Sequence, residues 1–128
     1  MSEAENRALA YRYVEEVFNQ GNLAVMDKLL DPAFVEHNPF PGQEPGIAGE
    51  KQAVSMLRTA FPDLHTTIED IITEDDKIVI RLTARGTQRG EFMGSPAPGG
   101  EAAMTEIHIL RIANGKAVEH WGEANCWC

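Results

Sequence analysis

The sequence predicts an α+β fold in which three N-terminal helices pack on one strongly curved antiparallel sheet. Apolar residues recur with the helical period up to Phe61, whereas β-branched and polar residues alternate from Leu64 onwards, as in strands. The pair Asn114-Gly115, which favours a type I′ turn, joins two of the predicted strands into a hairpin. Helices that cover one face of such a sheet leave a pocket between the two layers.

The first helix is predicted over about residues 3–19. Ser2 and Glu5 have the spacing of a capping box, and the apolar residues that follow them fall on one helical face. Asn22 can cap a second, short helix, which Asp31-Pro32 terminates. Two helices therefore precede a brief extended segment, "AFVEHN".

The stretch "PFPGQEPGIAGE", residues 39–50, is predicted to be a loop. Its prolines and glycines are too frequent for either regular structure. A third helix is expected from about Glu50 to Phe61, because Val54, Leu57 and Phe61 fall on one side of it.

The second half of the chain is predicted to form four long antiparallel strands. "LHTTIEDIITEDDKIVIRLTARGTQ" alternates about an acidic turn, and "EAAMTEIHILRIANGKAVEHWGEANCWC" supplies the second hairpin. The hairpin turn places His108 opposite Gly122 and Glu106 near Ala124. Because side chains alternate along a strand, each pocket-facing strand presents a set of every second residue. These sets are Met104, Glu106, His108 and Leu110 on one strand, and Val118, His120, Gly122 and Ala124 on the other.

Length and charge exclude several classes of partner. At 128 residues, the sequence is expected to form one domain that spans residues 1–128. Its formal net charge of −9 repels nucleic-acid phosphates and anionic lipid surfaces. Nothing near the N-terminus resembles a signal peptide, and no apolar stretch approaches the length of a membrane span. We therefore expect a cytoplasmic protein with neither nucleic acid nor membrane as a partner.

The two cysteines near the C-terminus are expected to be reduced thiols. Cys126 and Cys128 are two residues apart, which on a strand separates their Cα atoms by about 6.5 to 7 Å, beyond comfortable disulfide geometry. The sequence contains no CxxC pair or HExxH run that would complete a metal site. No metal is therefore expected.

Three long stretches resemble one known family. "YRYVEEVFNQGNLAVMDKLLDPAFVEHNP", "LRTAFPDLHTTIEDIITEDDKIVIRLTARGTQRGEFMG" and "RIANGKAVEHWGE" are similar in order and spacing to the SnoaL-like polyketide cyclases, also called ester cyclases, of the nuclear-transport-factor-2-like (NTF2-like) superfamily. The resemblance implies a cone-shaped barrel, a homodimer joined through its sheets, and a deep apolar pocket. It also implies ring closure of a polyketide by an intramolecular aldol reaction without metal or organic cofactor.

The sequence departs from this family at one important position. The family's acid/base group is an aspartate that directly follows the tryptophan of the last strand, and here that position is Gly122. The reaction needs an acid/base group near the reacting carbon and donors for the developing oxyanion. His120 lies on the pocket-facing phase beside the space left by the glycine, and His108 matches the family's pocket histidine. We therefore predict His108, His120 and Glu106 as catalytic residues, with Glu106 orienting the imidazoles.

A second group of residues is expected to bind the substrate. His37 and Asn38, in "VEHNP", are placed at the rim of the pocket because Pro39 ends the strand. Asn38 has an alternative role as a cap for the loop backbone. Apolar residues near irregular connections are expected to line the cavity, with the alternative that they are plain core. The predicted binding residues are His37, Asn38, Phe61, Phe92, Met93, Met104 and Gly122.

Two classes of function stay open at this point. One is a cofactor-independent enzyme that acts on a small, apolar, carbonyl-containing molecule. The other is a non-catalytic small-molecule-binding protein that kept the pocket and lost the aspartate. An epoxide hydrolase would need an Asp-Arg-Asp set that the final strands lack. Trp121 is expected on the outer face of the sheet, as part of the dimer contact.

Overall fold

The computed structural model describes residues 2–94 and 99–126 and shows helices packed against one face of a five-stranded sheet. Helix α1 (Glu3–Arg12) continues into a π-helix (Tyr13–Asn19). A 3-10 turn (Leu23–Val25) leads into α2 (Met26–Leu29), and α3 spans Gly46–Ala60. The strands are β1 (Leu30–Glu36), β2 (His65–Glu74), β3 (Lys77–Thr87), β4 (Glu101–Ala113) and β5 (Lys116–Cys126).

The sheet is mixed and open, with the strand order β1-β5-β4-β3-β2. Strands β2 to β5 form consecutive antiparallel pairs, whereas β1 pairs in parallel with β5. The predicted α+β arrangement of three helices on a sheet is therefore confirmed, with one parallel strand added at the edge. The predicted register is also confirmed, because His108 lies opposite Gly122 and Glu106 lies opposite Ala124.

A bulge in β5 interrupts the predicted alternation of side chains. Arg111 pairs with Glu119, but the next residue, Ile112, pairs with Ala117, so Val118 is the extra residue. Ala117 is buried on the inner face of the sheet.

The helical segments differ from the predictions at their ends. The predicted helix over residues 3–19 changes to π-helix at Tyr13, which keeps Tyr13, Val14 and Val17 buried. The second helix ends at Leu29, and Asp31-Pro32 belongs to β1, an edge strand where a proline costs no internal ladder bond.

Helix α3 begins four residues earlier than predicted, at Gly46, so the loop ends at Pro45. Proline and glycine are tolerated there because the first N–H groups of a helix have no intrahelical partner. A Cβ atom at Gly49 would overlap the carbonyl oxygen of Glu44, which explains why a glycine occupies the first turns of this helix.

The hydrophobic core lies between the helices and the inner face of the sheet. Each large aliphatic side chain that is fully buried there stabilises the fold by about 1.5–3 kcal/mol. No helix in the described part of the chain is both long and apolar enough to cross a membrane. The core includes Val14, Val17, Met26, Leu30, Phe34, Val54, Ile78, Ile80, Leu82, Leu110 and Ile112.

Candidate active site

Four side chains form a continuous series of short hydrogen bonds on the inner face of the sheet. Glu106 Oε1 lies 2.6 Å from His108 Nε2, and His108 Nδ1 lies 2.7 Å from His120 Nε2. His120 Nδ1 in turn lies 2.5 Å from Glu36 Oε1. All four side chains are largely buried, with exposed fractions between 6% and 20%. We call Glu106, His108, His120 and Glu36 the hydrogen-bonded line.

The two histidines meet because residue 122 has no side chain. His108 lies directly opposite Gly122, and a Cβ atom there would be 3.0 Å from both His108 Nδ1 and His120 Cε1. The imidazole rings instead stack across this space, with their centroids 4.9 Å apart and their planes 24° from parallel. Gly122 therefore leaves the space in which the two histidines make contact.

Glu36 reaches the site through the parallel pairing of β1 with β5. It lies opposite His120 in this register, and its carboxylate accepts the N–H of Asn38 at 2.9 Å on its second oxygen. Burial alone raises the pKa of Glu36, but hydrogen bonds from His120, Glu50 and the Asn38 N–H outweigh it and lower the pKa to about 2. Glu36 is therefore an ionised carboxylate at neutral pH.

Glu50, from the second turn of α3, extends the site beyond Glu36. The two carboxyl groups are within hydrogen-bonding reach of each other, and Gln43 Nε2 donates to Glu50 Oε1 at 3.2 Å. Burial, followed by the hydrogen bond to Glu36 and its negative charge, raises the pKa of Glu50 to about 9. The pair therefore holds one proton at neutral pH, and Glu50 carries it.

The geometry of the line relates its proton count to the charge of its two end carboxylates. Each of its three contacts needs one hydrogen, and a carboxylate can only accept when it is ionised. With both end carboxylates ionised, three hydrogens lie on the four ring nitrogens, which corresponds to one imidazolium and one neutral imidazole. In that state the histidine pair shares one extra proton.

An apolar cavity of about 60 Å³ lies beside this line. Glu50, Glu106, His108 and His120 form the polar part of its wall, together with the hydroxyl-bearing side chains of Tyr13 and Thr66. Burial, and then the charges of Glu50 and Glu36, raise the pKa of Tyr13 well above its usual value, so that its hydroxyl stays neutral. The apolar part of the wall includes Phe18, Leu57, Leu64, Ile80, Leu82 and Met104.

The predicted catalytic residues come together in the structure. Glu106, His108 and His120 are in contact and line the cavity, as does the predicted binding residue Met104. Gly122 provides the space that the imidazoles occupy.

Several predicted binding residues lie elsewhere. His37 packs outside the cavity, stacked on Trp121 with ring centroids 4.5 Å apart, and its Nε2 lies 3.2 Å from Glu119. Asn38 Oδ1 accepts the N–H of Gly122 at 3.0 Å, so this side chain holds the backbone of β5. Strand alternation explains the placement of His37, because its neighbour Glu36 points inwards.

The remaining aromatic predictions belong to the core. Phe61 and Phe92 are buried and pack edge to face, with ring centroids 5.2 Å apart, and Phe40 contacts Phe92 from the other side. Met93 is 56% exposed and adopts a positive φ of 51° in a turn. None of Phe61, Phe92 and Met93 is among the residues that line the cavity.

Sequence reasoning missed Glu36, Glu50 and Tyr13. The sequence does indicate that Glu50 is buried, because it falls four residues before Val54 and seven before Leu57, on the apolar side of α3. No local pattern indicates the role of Glu36, since that role depends on strand pairing with His120, 84 positions away.

The predicted cysteine pair cannot be placed. Cys128 lies outside the described residues, as does the side chain of Cys126. Among residues 2–94 and 99–125, no group of three or more His, Cys, Asp or Glu side chains is arranged to hold a metal ion.

Helices on one face of an open mixed sheet, with a cavity between the layers, define an NTF2-like α+β protein of the polyketide cyclase type. The profile of the SnoaL-like polyketide cyclases matches residues 8–126. The chain belongs to this family.

Individual relatives agree with this assignment. Aklanonic acid methyl ester cyclase DauD from Streptomyces sp. (strain C5) is 31% identical over 117 residues, which cover 85% of this chain and 70% of that enzyme. The cyclase DnrD from Streptomyces peucetius, described by the same activity, is 34% identical over 94 residues, covering 71% of this chain and 61% of that enzyme. The solved structure of TsrD from Streptomyces laurentii superposes with a TM-score of 0.89 at 30% identity, covering 98% of this chain and 91% of TsrD.

Proposed function

We propose that the protein catalyses proton abstraction from a small, apolar carbonyl compound, followed by intramolecular aldol-type ring closure, without metal or organic cofactor. The observation that carries this proposal is the hydrogen-bonded line on the wall of an apolar cavity. Acid/base groups held in such a cavity are what enolate formation requires. Membership of the SnoaL-like polyketide cyclase family supports the same reaction class.

The proposed reaction has three steps. A C–H next to carbonyl groups loses its proton to the Glu106 end of the line, and the resulting enolate carbon attacks a second carbonyl carbon in the same molecule. The carbonyl π electrons move to oxygen, and the alkoxide takes up a proton. The product is an isomer of the substrate, so that atoms and charge balance without an external reactant.

The histidine pair stabilises the charge changes during these steps. His108 donates to one oxygen of Glu106 and so orients its carboxylate, while the shared proton places positive charge beside the site where the enolate forms. The negative charge of Glu36, hydrogen-bonded to His120 Nδ1, stabilises positive charge on the histidine pair. Removing a positioned acid/base group of this kind typically reduces the rate by about 10²–10⁴-fold.

The dimensions of the cavity restrict how a substrate can bind. Its volume of about 60 Å³ is below the roughly 300–1,000 Å³ usual for drug-sized ligands. A multi-ring substrate therefore requires the cavity to widen, or it inserts only its reacting end.

A non-catalytic ligand-binding protein is the second candidate. Gly122 favours it, because the family resemblance implies an aspartate as the acid/base group at this position and glycine has no side chain to act as one. Both candidates bind a small apolar carbonyl compound in the same cavity, so turnover is the property that separates them.

The proposed function is tested with aklanonic acid methyl ester, the compound named in the activity of the two relatives. We expect the wild-type protein to convert it to a ring-closed isomer of unchanged mass, measured by chromatography and mass spectrometry. The His108→Gln variant should lose this activity and still bind the compound. Binding by the wild-type protein without any conversion would support the ligand-binding candidate instead.

We also propose a homodimer formed through the outer face of the sheet. An apolar row crosses this face, because Ile72 pairs with Val79, Val79 with Ile109, and Ile109 with Trp121. Ile72 is 61% exposed, and Ile107, which also points outwards, is 50% exposed. An exposed apolar row on a sheet face is suited to a partner of the same kind.

A further inference from the structure

Glu50 lines the same cavity as Glu106, although the two residues lie at opposite ends of the site. Glu106 is joined to Glu36 through the two imidazoles, and the carboxyl groups of Glu36 and Glu50 are within hydrogen-bonding reach of each other. A substrate in the cavity is therefore exposed to one carboxyl group at each end of a continuous series of hydrogen bonds.

The two ends differ in the charge and hydrogen-bonding groups of their neighbours. Glu106 faces the proton-rich histidine pair, and His108 uses only one of its carboxylate oxygens, so that within the described residues the second oxygen has no protein partner. Glu50 faces the ionised Glu36 from β1, the amide of Gln43 from the preceding loop, and Tyr13 from the π-helix. None of these three neighbours supplies a positive charge, so a proton on Glu50 is favoured.

We propose that Glu50 is a further catalytic residue, the carboxylic acid that protonates the alkoxide formed on ring closure. This inference rests on the proposed cyclase function, which it extends by naming the proton donor. A neutral carboxylic acid also donates a hydrogen bond to the carbonyl oxygen before closure, so it stabilises the oxyanion as it develops.

The protons balance across the site. Glu106 gains the proton that the substrate carbon loses, and Glu50 loses the proton that the alkoxide gains. Before and after closure, the total charge of Glu106, the histidine pair, Glu36 and Glu50 is the same, so no proton enters or leaves during the reaction. Between turnovers one proton returns from Glu106 to Glu50, along the line or through water, and restores the starting state.

The experiment uses the Glu50→Gln variant with aklanonic acid methyl ester in deuterated water. Glutamine keeps the size and hydrogen-bonding capacity of the side chain but cannot release a proton. Two readouts are followed together: formation of the ring-closed isomer by chromatography, and deuterium uptake into unreacted substrate by mass spectrometry. Glu44→Gln, an exposed glutamate on the same segment, is the matched control.

We expect Glu50→Gln to lower ring closure by at least about 100-fold while deuterium uptake continues, because the enolate still forms at Glu106 and returns without closing. Glu106→Gln should lose both readouts, and Glu44→Gln neither. If a folded Glu50→Gln variant closes the ring at a rate within a few-fold of the wild type, the role of Glu50 is overturned and the proposed function is not. If the wild-type protein shows neither closure nor uptake, the proposed function fails and the role of Glu50 falls with it.

A second variant covers the case in which Glu50→Gln does not fold. Glu50→Asp keeps a carboxylic acid, so we expect it to retain measurable ring closure. The pH above which ring closure is lost should differ between this variant and the wild type. An unchanged pH profile of ring closure in this variant would overturn the proposal.

Discussion

His108 and His120 are joined by a 2.7 Å contact between ring nitrogens across the position of Gly122, which has no side chain to separate them. The absent side chain leaves the space in which the two imidazoles meet. A carboxylate lies at each end of the pair.

The first prediction concerns Gly122. A methyl group there would lie 3.0 Å from both imidazoles, so Gly122→Ala should push them apart and lower the free energy of unfolding by about 1–3 kcal/mol. Gly122→Asp should do the same. Thermal unfolding measures the effect, and Gly100→Ala is the control because the space around Gly100 is open. Equal melting temperatures for the wild type and Gly122→Ala would contradict this account.

The second prediction concerns stability at neutral to alkaline pH. The folded protein holds the proton of Glu50 up to about pH 9, whereas the ordinary pKa is 4.5. Since the native state binds more protons than the unfolded state between these values, stability falls as the pH rises through this range, by at most about 1.4 kcal/mol per pH unit. Glu50→Gln should remove this part of the slope in denaturant unfolding measured from pH 5 to 9. The Glu44→Gln control should keep it, and parallel profiles for Glu50→Gln and the wild type would refute the assignment.

The third prediction concerns acid. The pKa of Glu36 is lowered to about 2 from an ordinary value of 4.5, so its contribution to stability is present above about pH 4.5 and is lost as the pH falls towards 2. Glu36→Gln should therefore destabilise the protein at pH 7 by about 1–3 kcal/mol and have a smaller effect at acid pH. Urea unfolding at several pH values provides the measurement. Glu69→Gln, on an exposed strand position, should leave stability unchanged at every pH. A Glu36→Gln effect that does not depend on pH would argue against an ionised Glu36.

The fourth prediction concerns assembly. Ile72→Asp places a charge in the apolar row on the outer face of the sheet, and we expect it to convert the proposed dimer to a monomer with little loss of secondary structure. Light scattering after gel filtration gives the mass directly. Glu69→Gln on the same strand is the control. A wild-type protein that is monomeric at all concentrations would rule out this interface.

The sequence was sufficient for those parts of the structure that depend on local periodicity. Alternation along β4 and β5, together with the Asn114-Gly115 turn, was enough to predict that His108 faces Gly122 and that the glycine leaves room for an imidazole. A bulge is not encoded in this alternation, so the extra residue at Val118 was not predicted.

The rest of the site depends on contacts between distant parts of the chain. Glu36 contacts His120 only because β1 joins the sheet in parallel beside β5, and no local pattern specifies that pairing. Glu50 contacts Glu36 only after α3 has packed over β1. Charged residues are usually expected on the solvent side of a helix, so a glutamate on the apolar side of α3 was not recognised as part of the site.

The shared proton between the two imidazoles is the central claim, and nitrogen NMR of the histidine side chains tests it most directly. In ¹⁵N-labelled protein, the account predicts a scalar coupling across the hydrogen bond between His108 Nδ1 and His120 Nε2. It also predicts that the signals of these two rings change together as the pH is varied, whereas the exposed His65 shows no coupling to another ring. The absence of that coupling, with two rings that titrate independently, would contradict the account.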